Sequence, residues 1–115
     1  MREKNKLPRR ESLKSRAEID SLLKYGDKVS GDCFLVKWQK SDEFQYAVLV
    51  SGKIGTAVKR NKIKRLIREA IRLNRNLLNT NIRLAVLVND DSKNISFELI
   101  NAEISRTFEL INRKA

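Results

Sequence analysis

The tetrapeptide Ala-Val-Leu-Val occurs twice, at residues 47–50 and 85–88, and the stretch between the copies reads as one amphipathic helix. Short apolar runs of this kind suit strands covered on both faces. Between them Ile63, Leu66, Ile67, Ala70 and Ile71 fall on a single helical stripe. Strand, helix, strand in that order restricts the chain to a sheet carrying at least one packed helical layer. The residues that follow the two copies differ, so both are read as doubly covered central strands rather than as an internal repeat.

The flanking segments fill in this frame. Ser15-Arg16-Ala17-Glu18 matches a capping box, which predicts a helix carrying Ile19, Leu22 and Leu23 on one face and stopped by a left-handed Gly26. From residue 33 to 39, Phe34, Val36 and Trp38 alternate with Cys33, Leu35 and Lys37, a strand pattern that does not say which face is covered. Lys40-Ser41-Asp42-Glu43 reads as a polar turn into a second strand, so residues 33–50 are expected to form an antiparallel hairpin. After a loop at 89–94, Phe97, Ile100, Ile104, Phe108 and Ile111 repeat at helical spacing, with Ser96 as the cap. The expected fold is an α/β (α+β sandwich) domain, a small mixed β-sheet packed with three helices over residues 13–115. A flexible basic arm is expected at residues 1–12.

With 41% apolar and 34% charged residues, the chain can offset its conformational entropy and fold as one domain. Its single Cys33 excludes an internal disulfide, and the lack of histidine removes the usual zinc and Cys-His chemistry. A reducing, cytoplasmic setting is expected. No membrane association is expected, because no apolar run approaches the roughly 18 residues of a membrane span. Asp42-Glu43 and Asp90-Asp91 sit where turn residues belong, and no phosphate loop or nucleophile motif is present, so no catalytic residues and no metal site are assigned.

Charge points to the partner. Residues 59–75 hold eight Lys or Arg against Glu69, +7 of the chain's +11; residues 1–17 carry +5 and residues 89–112 carry −3. Arg60, Lys64, Arg68 and Arg72 climb one ridge at four-residue intervals, where like charges cost a helix a few tenths of a kcal/mol per pair. A polyanion would remove that cost, which favours a nucleic-acid partner over a merely solvated face. A helix-turn-helix DNA reader would need a second helix abutting the basic one, whereas strands flank it here. A structural RNA-binding protein remains compatible with the pattern. Gly55 serves either close phosphate approach or a positive φ, and Asn61 either RNA contact or helix capping.

Lys53, Gly55, Ala57, Val58, Arg60, Asn61, Lys64, Arg65, Arg68 and Glu69 together resemble the signature of the bacterial ribonuclease P protein subunit, and the likeness in length and element order extends from about Leu7 to the last helix. The resemblance implies an α/β sandwich with a left-handed β-α-β crossover, where general handedness rules give a right-handed one. It implies a small protein that joins a catalytic RNA subunit and promotes removal of the 5′ leader from precursor tRNA, the chemistry being done by the RNA with Mg²⁺ held mainly by RNA phosphates. No obligate protein partner is implied. Lys53, Gly55, Lys59, Arg60, Asn61, Lys62, Lys64, Arg65, Arg68 and Arg72 are expected to meet the RNA subunit. Ile19, Leu23, Phe34, Val36 and Trp38 are expected to line the leader cleft. Ile19 and Leu23 stand where the family usually has phenylalanines, and Asn89 where it has an arginine.

Overall fold

The computed structural model describes residues 11–13, 15–88 and 96–114. In chain order these form α1 (Arg16–Tyr25), β1 (Asp27–Ser30), β2 (Leu35–Lys40), β3 (Gln45–Val50), α2 (Ala57–Asn74), β4 (Ile82–Val88) and α3 (Phe97–Lys114), with a 3-10 turn at Arg75–Leu77 after α2. Ser15 caps α1, its Oγ accepting from the Glu18 amide at 3.3 Å. The Glu18 carboxylate does not complete the box; its Oε2 lies 3.8 Å from Arg83 Nη2. Gly26 ends the helix in extended backbone (φ −70°, ψ 156°), not in the left-handed region. A side chain there would bring its Cβ to 2.6 Å from the Leu22 carbonyl oxygen, so close packing explains the glycine.

The sheet runs β1-β2-β4-β3. β1 is antiparallel to β2, β2 antiparallel to β4, and β3 parallel to β4, joined to it through α2. The expected hairpin between residues 33–39 and 44–50 is therefore corrected. β2 does form a hairpin, but with β1, a four-residue edge strand in which only Val29 is apolar and which hydropathy patterning does not reveal. β3 lies beyond β4, and the 41–44 connection is tied to the start of β4 by Ser41 N–H to Asn81 O and Asn81 Nδ2 to Asp42 O, both 3.0 Å. The two Ala-Val-Leu-Val copies are likewise not equivalent. β4 is buried or half-buried throughout and takes the centre, whereas β3 is an edge strand.

Two unequal layers cover the sheet. On one face, Val36, Trp38, Leu84, Val86 and Tyr46 pack against Ile63, Ile67 and Ile71 of α2 and Ile100, Ile104, Phe108 and Ile111 of α3. On the other, α1 sets Leu22 with Leu13 over Ala47 and Ala85, with Ile19, Leu23 and Leu87 half-buried around them. Burial of a large aliphatic or aromatic side chain contributes about 1.5–3 kcal/mol. Most of the stability therefore comes from the α2/α3 face, and α1 rests on a thin layer. Asn74, buried in α2, donates to Ala70 O and Asn101 Oδ1, each at 2.8 Å, and so locks α2 to α3. Glu11 and Ser12 belong to the folded unit rather than to an arm: Ser12 bridges Tyr46, and the Leu13 amide donates to Tyr46 O at 2.7 Å. Asn89, Asp90 and Asp91 lie outside the described residues.

Candidate nucleic-acid interface

The residues between β3 and α2 form a short braced loop. The Ser51 amide donates to Val88 O at 2.8 Å, and the Ile54 amide to Ser51 O at 3.0 Å, while the Ile54 side chain is buried in the core. Lys53 and Gly55 are thereby held exposed on either side of a fixed point. Gly55 has φ +45°, the only positive φ among the described residues, which any side chain would strain. Thr56 caps α2, its Oγ1 accepting from the Lys59 amide at 3.2 Å. Asn61 is not the cap; it lies in the second turn with its side chain exposed.

Around α2 the polar residues divide by what they already hold. Arg60 Nη1 turns back to the loop and donates to Gly55 O at 3.0 Å, with Gly52 O and Ile54 O at 3.4 Å. Arg72 grips Glu69 through Nε (3.1 Å to Oε1) and Nη2, and this hydrogen bond holds the Glu69 carboxyl below its usual range. Arg68 hydrogen-bonds Tyr46 on β3, and Arg75 lies 3.9 Å over the Phe44 ring and 3.5 Å from Glu11 Oε2. Lys53, Lys62, Lys64 and Arg65 have no ion pair or side-chain hydrogen bond among the described residues. At 100° per residue, Arg60, Lys64, Arg68, Arg72, Asn61 and Arg65 share one arc of α2, with Lys62 at its far rim in line with Glu69. Lys59 is exposed in the first turn, its aliphatic stem lying against Gly55. The arc runs beside the outer edge of β3, which Ser12 and Leu13 partly cover at Tyr46, as the Tyr46 and Phe44 contacts fix. A band of positive charge thus runs from the loop along that edge.

The opposite sheet face carries three rows across β2, β4 and β3, set by the register: Leu35, Leu87, Leu49; Lys37, Ala85, Ala47; and Gln39, Arg83, Gln45. α1 covers the alanine row, and the leucine row is half-buried beside it. Phe34, Val36 and Trp38 alternate to the other face and are at most 6% exposed in the α2/α3 core. They are not brought together with Ile19 and Leu23, which corrects their assignment to a cleft beside α1. Leu35, Lys37, Leu49 and Leu87 occupy the face assigned to them. Their parity was the only signal for this, and parity does not name the side that α1 covers.

A family model described as Ribonuclease P matches residues 7–112. The chain belongs to the ribonuclease P protein family. It is 34% identical over 106 residues to the ribonuclease P protein component of Dictyoglomus turgidum, with 89% of each chain covered, and 28% identical over 109 residues to that of Acholeplasma laidlawii, covering 90% of this chain and 94% of the relative. Its fold is similar to the RNase P protein of Staphylococcus aureus, with a TM-score of 0.77 at 26% identity over 88% of this chain and 94% of that one. The Thermotoga maritima RNase P protein shares the fold, with a TM-score of 0.75 at 23% identity over 87% and 96%. As a ribonuclease P protein component, the chain acts in tRNA processing as part of an endoribonuclease whose partner is an RNA. Among the described residues no helix is long and apolar enough to cross a membrane.

Proposed function

We propose that this ribonuclease P protein binds the catalytic RNA subunit through the 51–56 loop and the exposed arc of α2, and grips the 5′ leader of precursor tRNA on the sheet face beside α1. The observation that carries the reading is the division of cations over the β3–α2 loop and α2 into free and engaged ones. Lys53, Lys62, Lys64 and Arg65 have no partner among the described residues, while Arg60 and Arg72 are engaged. Free cations at fixed spacing neutralise closely packed phosphates and release counterions, which favours a compact RNA. Arg60 then acts by setting the loop, so that Lys53 and the Gly55 backbone meet phosphate in one geometry.

The leader lies along the half-buried Leu35, Leu87 and Leu49 row, against Ile19 and Leu23, with Lys37 beside it for a phosphate. Because mature tRNA has no leader, binding there favours precursor over product. Among the described residues no group of three or more His, Cys, Asp or Glu stands together to hold a metal. In this reading magnesium ions take their oxygens from RNA, and no step of the protein's action runs through them.

The test is cleavage of 5′-labelled precursor tRNA by a bacterial ribonuclease P RNA at low magnesium, with and without the protein. Stimulation that Lys64→Ala with Arg65→Ala removes supports the reading. Tight RNA binding without stimulation would instead make the chain a structural RNA binder.

A further inference from the structure

Beside the outer edge of β3, where α2 ends, two guanidinium groups are set on an aromatic floor. Phe44 and Tyr46 form that floor, 3% and 6% exposed, with their ring centroids 6.3 Å apart. Arg75 lies 3.9 Å over the Phe44 ring, which holds its guanidinium flat, and Arg68 hydrogen-bonds the Tyr46 hydroxyl. Glu11 is the acid that faces them. Its side chain is 15% exposed, and its Oε2 lies 3.5 Å from Arg75 Nη2. Glu11 and Arg68 both act on the Tyr46 hydroxyl through their charge, so the carboxylate and the two cations share one neighbourhood. Two features make the Glu11 contact exchangeable. A charge-assisted N–H···O bond closes to about 2.7–2.9 Å, so this one is loose. It is also the whole of what the Arg75 side chain bonds to among the described residues, although a guanidinium offers five N–H donors. The segment itself is fastened independently of Glu11: Ser12 bridges Tyr46, the Leu13 amide donates to Tyr46 O at 2.7 Å, and the Leu13 side chain is buried.

We propose that Arg75 and Arg68 form a phosphate site for the bound RNA which Glu11 occupies in the free protein, so that binding swings the carboxylate out and seats an RNA phosphodiester in its place. The inference rests on the reading of α2 as the RNA-subunit surface, because both arginines lie along the β3 edge that the arc of α2 follows. The two oxygens of a phosphodiester match the guanidinium fork, and a polyanion brings further phosphates to the neighbouring cations, which one carboxylate cannot do. Since Leu13 stays anchored, only the Glu11 side chain has to move. The fraction of protein with the site open sets the apparent affinity, so Glu11 lowers it for every RNA that uses the site. A lone anion meets a filled site, whereas an RNA already seated on α2 opens it.

The test is binding of the full chain and its variants to a bacterial ribonuclease P RNA over a series of salt concentrations. Glu11→Gln should tighten binding about fivefold, the upper worth of a partly exposed ion pair. Arg75→Met, whose unbranched stem still covers Phe44, should weaken it about tenfold and lower the slope of log K against log salt by about one phosphate. The double variant decides the matter. With Met at position 75, Glu11→Gln should bring no gain, whereas a gain from net charge alone would persist. A persistent gain, or no gain from Glu11→Gln by itself, overturns the proposal, and the second result does not depend on how well the Arg75 variant folds. Urea midpoints report the folding of each variant. If Lys64→Ala with Arg65→Ala removes binding and Arg75→Met leaves it unchanged, the site falls and the reading of α2 stands; the reverse pattern upholds the site and overturns that reading.

Discussion

Arg60 Nη1 lies 3.0 Å from the carbonyl oxygen of Gly55, five residues before it, so a cation of the signature helix is spent on the loop that precedes that helix. Arg60→Ala is expected to free the loop while leaving the core intact. The Ile54 amide, bonded to Ser51 O, should exchange faster with solvent, and global stability should fall by about 1 kcal/mol. Hydrogen exchange resolved at Ile54 checks the first, and urea unfolding the second.

Gly55→Ala places a side chain at φ +45° and brings its Cβ to 2.8 Å from Lys59 Cδ. The Lys59 stem can move, but the backbone strain remains, at about 1–2 kcal/mol. Lower stability is expected, together with weaker RNA binding, because the loop relaxes to a different path. Urea midpoints and a filter-binding isotherm measure the two effects.

Glu69→Gln should tighten RNA binding. It removes the acid that holds Arg72 and leaves that guanidinium available to phosphate. A steeper dependence of log K on log salt, by about one phosphate equivalent, is the expected signature. An unchanged slope would mean that Arg72 points away from the RNA.

Leu23→Phe should raise affinity for precursor tRNA and leave mature tRNA unaffected. Leu23 is half-buried beside the leucine row, and a base stacked on an aromatic ring gains about 1–3 kcal/mol. Competition binding with leaders of increasing length tests this, since a leaderless substrate should show no gain.

Tyr46 gives the fold a dependence on alkaline pH. Burial pushes its hydroxyl above the ordinary 10.0, outweighing the nearby Arg68, which pulls it down. A folded-state value above the unfolded one means that the folded state binds more protons between the two. The contribution is therefore fully present below about pH 10 and is lost as pH rises through the folded value. Tyr46→Phe should lose less stability than the parent chain between about pH 9 and pH 11, the other groups being common to both. Urea unfolding at the two pH values supplies the difference.

Much of this was legible in the residues. The stripe Ile63, Ile67, Ala70, Ile71 is buried as its period predicts, Ser15 and Ser96 accept from the amides of Glu18 and Leu99, and the apolar series of α3 covers the core. Asn61 was ambiguous because Asn suits both caps and contacts, and Thr56, five residues earlier, takes the cap. Phe34 and Trp38 were ambiguous because strict alternation fixes two faces without naming them. Arg60, Arg68 and Arg72 looked alike on a helical wheel, yet each holds a different partner: a loop carbonyl, a tyrosine hydroxyl and a carboxylate.

The sequence by itself determined which segments are helical or extended, β1 apart, which helix carries the charge, and the family, because periodicity, caps and motif spacing are local properties of the chain. Only the tertiary structure decided that β4 separates β2 from β3, that α1 lies over the alanine row, and which cations remain unpaired. Strand neighbours are chosen by hydrogen bonds between distant segments, and a side chain's face acquires meaning only once a layer covers it. The same Ala-Val-Leu-Val is thus a centre in β4 and an edge in β3.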